Sequence, residues 1–142
     1  LDDSFANFQK NFWLDARLGV DDLNLSSSTV ALTVDYYNSV ITSAGNNMVV
    51  WNFENATGGS GNDVFVGNSV DNRFDGGAGA DTYNANTLGA PGSAWLLSSV
   101  SAVASAANVG VDQISNMETL LLGSGADTFF GLATGYSLME AG

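Results

Sequence analysis

The chain has 142 residues, 45% of them hydrophobic, and fifteen acidic against three basic side chains give a net charge of −12. That length and apolar content suffice for one domain with its own core, while so acidic a surface repels a phosphate backbone and excludes nucleic acid as a partner. Cysteine and histidine are both absent, which removes disulfides, zinc bound through thiolates or imidazoles, and every nucleophile pair that relies on an imidazole.

The chain starts with Leu1, and "LDDSFANFQK" lacks the positive start and apolar stretch of a secretory signal. The expectation is a processed product or a segment of something longer, compatible with export that uses no cleaved N-terminal signal. No stretch reaches the roughly twenty apolar residues of a membrane-spanning helix. Phe5, Phe8, Phe12 and Trp13 follow one another at spacings of three, four and one, with Asp2, Asp3 and Ser4 ahead of them as N-cap candidates. This stripe predicts an amphipathic helix over about residues 3 to 18, so residues 1–19 are expected to form an N-terminal helix and 20–142 the rest of the fold. The four aromatic residues are candidates for covering an open sheet end or for docking a partner protein. With only Lys10 and Arg17 nearby, a lipid-binding face is disfavoured.

After Gly19 the texture changes. "STVALTVDYYNSVI" and "NMVVWNF" are rich in β-branched and aromatic residues and read as strands. "ANTLGAPGS" is a turn-forming connection that holds the single proline. "AWLLSSVSAVASAANV", residues 94 to 109, fits a helix by its alanine and leucine or strands by its valine and serine. A shift of sixty-four residues decides for strands over 95 to 103, because it lays Leu32 on Leu96, Glu54 on Glu118, Gly61 on Gly125, Asp63 on Asp127, Phe65 on Phe129 and Gly67 on Gly131.

Between these segments, residues 58 to 84 divide into nines: GGSGNDVFV, GNSVDNRFD, GGAGADTYN. The eighth place holds Phe65, Phe74 and Tyr83 in turn. One large apolar side chain at a fixed place in each nine suits a tight turn followed by a very short strand. Two such units close one coil, and after eighteen residues the chain passes over its own starting point. Successive strands then pair in parallel about 4.8 Å apart, with Phe65 beneath Tyr83 on one wall and Phe74 opposite. The fold class expected is mainly β, a parallel β-roll or β-solenoid. A Gly-Gly-x-Gly turn can aim several carbonyl oxygens at one point, at backbone angles that a Cβ would obstruct. With the aspartate in sixth place, two turns stacked one coil apart make an all-oxygen cage of the six-to-eight-ligand kind that Ca²⁺ accepts at about 2.3–2.6 Å, and that Mg²⁺ fits poorly.

The nines at 58–66 and 76–84 match G-G-x-G-x-D-x-U-x at each fixed place, and the chain resembles the RTX family of calcium-binding nonapeptide repeats. The resemblance implies a parallel β-roll, Ca²⁺ as the bound ion, and bacterial proteins exported in one step (type I secretion) that fold on meeting extracellular calcium. Residue by residue it implies ligands from the carbonyl oxygens of Gly59, Gly61, Gly77 and Gly79 and from the side chains of Asp63 and Asp81. The middle unit departs from the pattern, with Asn72 in place of aspartate and Val70 in place of the third glycine, so the opposite edge is expected to hold no ion or a poor one. A degenerate repeat at 122–130 keeps Gly123, Gly125 and Asp127 but begins with Leu122. Its Asp127 lies forty-six residues after Asp81, not a multiple of nine, so an insertion must intervene. Asn72, Gly125 and Asp127 are therefore weaker metal candidates.

Three functions compete at this point. The first is a calcium-dependent structural module of an exported bacterial protein, secreted or at the cell surface. The second is a subunit of an extracellular or periplasmic assembly (surface layer, adhesin or larger complex) docked through the aromatic helix. The third, a hydrolase using Asp21 and Asp22, or Asp35 beside Tyr36 and Tyr37, would need an acid and base pair flanking a cleft. Solvated turns account for those residues more simply, and no enzyme activity is expected.

Overall fold

The computed structural model describes residues 12–85, 94–97, 101–105, 111–122, 128–131 and 137–140. Fifteen short strands make up the described secondary structure: β1 (Phe12–Asp15), β2 (Asp22–Asn24), β3 (Thr33–Asp35), β4 (Val40–Ser43), β5 (Asn46–Trp51), β6 (Asn55–Thr57), β7 (Val64–Val66), β8 (Arg73–Asp75), β9 (Thr82–Asn84), β10 (Ala94–Leu97), β11 (Ser101–Ser105), β12 (Val111–Ser115), β13 (Thr119–Leu122), β14 (Thr128–Gly131) and β15 (Ser137–Glu140). They form two sheets, one ordered β1-β5-β4-β3-β7-β9-β13-β15 and the other β14-β10-β11-β12-β8-β6-β2. The chain is mainly β and its strands pair largely in parallel, consistent with a β-roll.

The nine-residue frame dictates the coil. In a strand of three residues the middle side chain points inward: Phe74 in β8, between exposed Arg73 and half-buried Asp75, Tyr83 in β9, and Phe65 in β7, where Val66 is buried too. β6 pairs with β8 (Asn55↔Arg73), β7 with β9 (Val64↔Thr82) and β13 with β15 (Thr119↔Ser137), each eighteen residues apart. Phe65 and Tyr83 are direct partners on one wall, and Phe74 reaches both from the other, with ring centroids 5.3 and 6.0 Å away. Tyr36 stacks at 5.4 Å from Phe74, while its hydroxyl donates to the Asn55 carbonyl at 2.8 Å. These rings and the aliphatic side chains Leu23, Val34, Ile41, Ile114 and Leu120 form one continuous core.

The insertion anticipated between Asp81 and Asp127 is a widening of one wall. β10, β11 and β12 form an antiparallel meander, after which β12 pairs in parallel with β8. The first half has the same device: β3, β4 and β5 form an antiparallel meander and β5 pairs in parallel with β1. The sheet orders β1-β5-β4-β3-β7 and β8-β12-β11-β10-β14 correspond strand for strand, so the repeat is structural. Its offset is 64 only at β5/β12 and β7/β14 and falls to 61 at β3/β10 and 60 at β1/β8, so Leu32 does not fall on Leu96.

The N-terminal helix is not borne out. Residues 12–15 are a strand, and the rest of the expected helix, with Phe5 and Phe8, lies outside the described residues. Two physical reasons override the helical stripe from Phe12 onward. Trp13 and Asp15 face out while Leu14 packs against the core, a period of two that suits pairing with Met48–Trp51 of β5. Beyond β1, Arg17 (φ 75°) and Gly19 (φ 142°) adopt left-handed backbone that no α-helix contains.

Candidate metal site

The turns 58–63 and 76–81 join β6 to β7 and β8 to β9, so the eighteen-residue register stacks one on the other. The Ala78 N–H donates to the Gly59 carbonyl at 2.9 Å, and the Ser60 N–H donates to the Ser28 carbonyl at 2.9 Å, which adds residues 28–30 as a third layer. The approach is too close for side chains. A Cβ on Gly77 (φ 90°) would lie 2.4 Å from the Gly59 carbonyl oxygen, and one on Gly79 (φ 139°) 2.2 Å from that of Gly61.

Both aspartates of these turns are buried. Asp63 accepts the Leu32 N–H on Oδ1 and the Gly59 N–H on Oδ2, each at 2.9 Å. Asp81 accepts the Asp63 N–H on Oδ1 at 2.7 Å, and its Oδ2 is buried without a hydrogen-bond partner. Burial pushes the Asp81 carboxyl up to about 6; the Asp63 N–H opposes the rise, and the nearby Asp63, Glu118 and Asp75 carboxylates add to it. Asp63 is also raised by burial, against two backbone donors from Gly59 and Leu32 that lower it. A buried carboxylate oxygen with no donor is costly unless it finds a proton or a cation.

Among the described residues no three carboxylate side chains gather as a metal cluster, so an ion here depends on backbone oxygens. That suits a hard cation held by carbonyls with one or two carboxylates. The Gly59 and Gly61 carbonyl oxygens face the stacked turn at Gly77 and Gly79, and Asp63 and Asp81 close the same two turns. The Gly59 carbonyl already accepts one N–H, leaving a single lone pair for a metal. The donor set and the orphaned Asp81 Oδ2 fit Ca²⁺.

The opposite edge is filled by side chains. Asn72 takes the Asn68 N–H on Oδ1 at 2.9 Å and donates Nδ2 to the Glu54 carbonyl at 3.0 Å, so its side chain is spent on the backbone. Its own N–H donates to Oδ1 of Asp112 at 3.0 Å, and Asp112 Oδ2 takes a short hydrogen bond from the Tyr83 hydroxyl. Gly125 and Asp127 lie outside the described residues. Of the aromatic docking candidates, Trp13 is 64% exposed and lies 6.2 Å from the half-exposed Trp51.

The structure adds residues that the sequence reading missed. Each sixth place feeds a ladder in which a side chain accepts the backbone N–H of the neighbouring coil. The Asp81 N–H donates to Glu118 Oε2 at 2.7 Å and the Asp21 N–H to Glu54 Oε2 at 2.9 Å, continuing the pattern of Leu32 on Asp63 and Asp63 on Asp81. The signal was available: Glu54 precedes Asp63, and Glu118 precedes Asp127, by one nine-residue step.

The model of the RTX calcium-binding nonapeptide repeat, in four copies, matches residues 57–87. Residues 57–87 are thus similar to an RTX repeat block. This RTX block runs from the last residue of β6 through β9 and holds both stacked glycine turns, the part of the chain where the eighteen-residue register is uninterrupted. None of the curated proteins compared matches the chain.

Proposed function

We propose that this chain is a calcium-binding structural module of an exported bacterial protein, secreted or displayed at the surface, whose roll is completed by extracellular Ca²⁺. The observation that carries the reading is the orphaned, buried Oδ2 of Asp81 between stacked glycine turns of an RTX block. The ion supplies positive charge among buried oxygens. The chain's own residues set its place: Gly77 and Gly79 allow the turns to approach, the N–H groups of Leu32 and Gly59 orient Asp63, and the N–H of Asp63 orients Asp81. The metal-free acidic chain carries uncompensated buried carboxylates, which loosens the roll in low calcium and tightens it outside the cell. At a site affinity of about 10⁻⁴ M and about 10⁻³ M calcium, each site contributes roughly 1.4 kcal/mol. One complete site is a modest switch, and the aromatic core holds the rest. The reading involves no catalysis.

Calcium titration followed by circular dichroism, on wild type and on Asp63→Ala with Asp81→Ala, tests this. Calcium is expected to sharpen and raise the wild-type unfolding transition, EDTA to loosen the fold without abolishing it, and the double variant to lose most of its response to both. A wild type indifferent to calcium would overturn the reading.

A second reading, a subunit of an extracellular or periplasmic assembly, draws on the outward indoles of Trp13 and Trp51, with the half-exposed Val49 opposite Trp13 in the β1–β5 pair. Native mass measurement separates the readings, since a strict monomer at high concentration counts against the assembly.

A further inference from the structure

We propose that residues 16–21, Ala-Arg-Leu-Gly-Val-Asp, form a second calcium-binding turn, built like 76–81 and lying on the opposite long edge of the roll. The proposal rests on the calcium reading of the RTX block and extends it to a segment outside the matched residues 57–87. Taking the buried Leu23 as an eighth place puts Ala16 first and Asp21 sixth, and of the motif's glycines only Gly19 remains.

The backbone nevertheless reproduces the RTX turn. Second and fourth places have φ of 75° and 142° at Arg17 and Gly19, against 90° and 139° at Gly77 and Gly79. Among the described residues, these two turns alone combine left-handed backbone at both places. The hydrogen bonds repeat as well. In the N-terminal turn, Asp15 Oδ1 accepts from the Arg17 N–H at 3.0 Å and from Asn52 Nδ2 at 2.7 Å; in the other, Asp75 Oδ1 accepts from the Gly77 N–H at 3.2 Å and from Asn116 Nδ2 at 2.7 Å. The Ala16 N–H donates to the Trp51 carbonyl as the Gly76 N–H does to Ser115, each at 3.0 Å. Asp21 places its N–H on Glu54 as Asp81 does on Glu118, and both aspartate carbonyls accept from the two residues that begin the next strand segment.

The second observation points to a ligand. In the described residues two buried side-chain oxygens lack a hydrogen-bond partner, and they are Oδ2 of Asp21 and Oδ2 of Asp81. The Asp21 oxygen lies 3.2 Å from where a Cβ on Gly19 would stand, so it faces the turn. The connection 67–72 on the same edge contains no left-handed residue and satisfies itself with Asn72, so the geometry of 16–21 is not what joining the two walls requires. Holding an arginine in the left-handed region opposes folding. A turn of this backbone geometry that holds an unpaired carboxylate oxygen suits a hard divalent cation, Ca²⁺. No second glycine-rich turn stacks on its outer face among the described residues, so water completes the shell and this site is the weaker of the two.

Trp13 and Trp51 flank the turn, and tryptophan-sensitised terbium luminescence on the intact chain therefore reports its occupancy, beside calcium calorimetry for the number of sites. Two classes of calcium site are expected. Asp21→Asn should remove the weaker class and the tryptophan-sensitised signal, Asp81→Asn should remove the tighter class and leave that signal, and Arg17→Gly should strengthen the weaker class several-fold. Exchanging Trp13 and Trp51 for Phe should abolish the luminescence and keep both classes. If Asp21→Asn and Arg17→Gly behave as wild type in both measurements while Asp81→Asn loses all binding, the second turn is refuted and the RTX site stands. If the wild type binds no calcium, the reading beneath both falls.

Discussion

The two long edges of the roll answer the same problem differently. On one, the turns 58–63 and 76–81 strip away side chains, draw the backbones together and bury Asp63 and Asp81 with one oxygen unpaired. On the other, 67–72 keeps its side chains, and Asn72, Asp112 and Tyr83 join one another and the neighbouring backbone in a closed network. Three residue types separate them: Asn68 and Val70 stand at the second and fourth places where the other edge has glycine, and Asn72 stands for the sixth-place aspartate. An amide carries both donors and acceptors and can satisfy itself among backbone groups, whereas a carboxylate has only acceptors and needs a proton or a metal when donors run out. An edge can therefore be sealed by protein alone or left to depend on its surroundings.

The comparison can be broken or sharpened by experiment. The largest effect should come from the element common to both edges: Phe74 is fully buried against three rings, and Phe74→Ala should cost about 3–5 kcal/mol in denaturant unfolding, with and without calcium alike. If calcium rescued it, the edges would not be independent of the core.

Next comes pH. Burial raises Asp112 to about 7, against lowering by the Tyr83 hydroxyl and Asn72 N–H, and Asp81 stands at about 6. Carboxyls raised on folding favour the native state while protonated, so the metal-free protein should be most stable near pH 4 and lose a few kcal/mol as pH climbs through 6 and 7. Thermal midpoints across that range check it. Asp112→Asn should flatten the upper part of the loss. Calcium should offset the Asp81 part at neutral pH and lose its effect below about 6.

A smaller effect separates the edges cleanly. Asp81→Asn should erase the calcium-induced gain of the glycine-turn site, roughly 1.4 kcal/mol, and leave metal-free stability unchanged or higher, because it removes a buried charge with an orphaned oxygen. A calcium gain that survives this variant undiminished would move the tighter site away from the glycine turns. Smallest of all, Trp13→Ser should alter unfolding by no more than about 0.5 kcal/mol, since the indole is largely outside, and any marked change in native mass would then speak for the assembly reading.

The coil was legible wherever the nine-residue frame is unbroken. The places of Phe65, Phe74 and Tyr83 give the walls, the register and the stack, and the internal repeat foretold strands over 95–103, a segment of ambiguous propensity in which β10 and β11 are found. What was not legible came from partners distant in sequence. Phe12 and Trp13 carry a helical spacing, yet a parallel β5 lies beside them thirty-six residues on, and pairing decides their backbone. Glu54 and Glu118 were noted as repeats of each other and not as sixth-place residues, because glutamate departs from the motif while its longer side chain still reaches the adjacent coil's N–H. Asp112 and Tyr83 meet only because the β10–β12 meander returns the chain to β8.

That meander also sets a rule of parity. The excursion from β9 to β12 inserts two extra strands, one running up and one back, so the chain re-enters the winding in its original direction and Glu118 falls into line with Asp81. A splice of one strand, or of three, would send the chain back reversed and throw every later acidic rung out of step. Growth or loss of sequence in such a roll is thus confined to hairpins taken whole, and its metal-facing column persists through large changes in length.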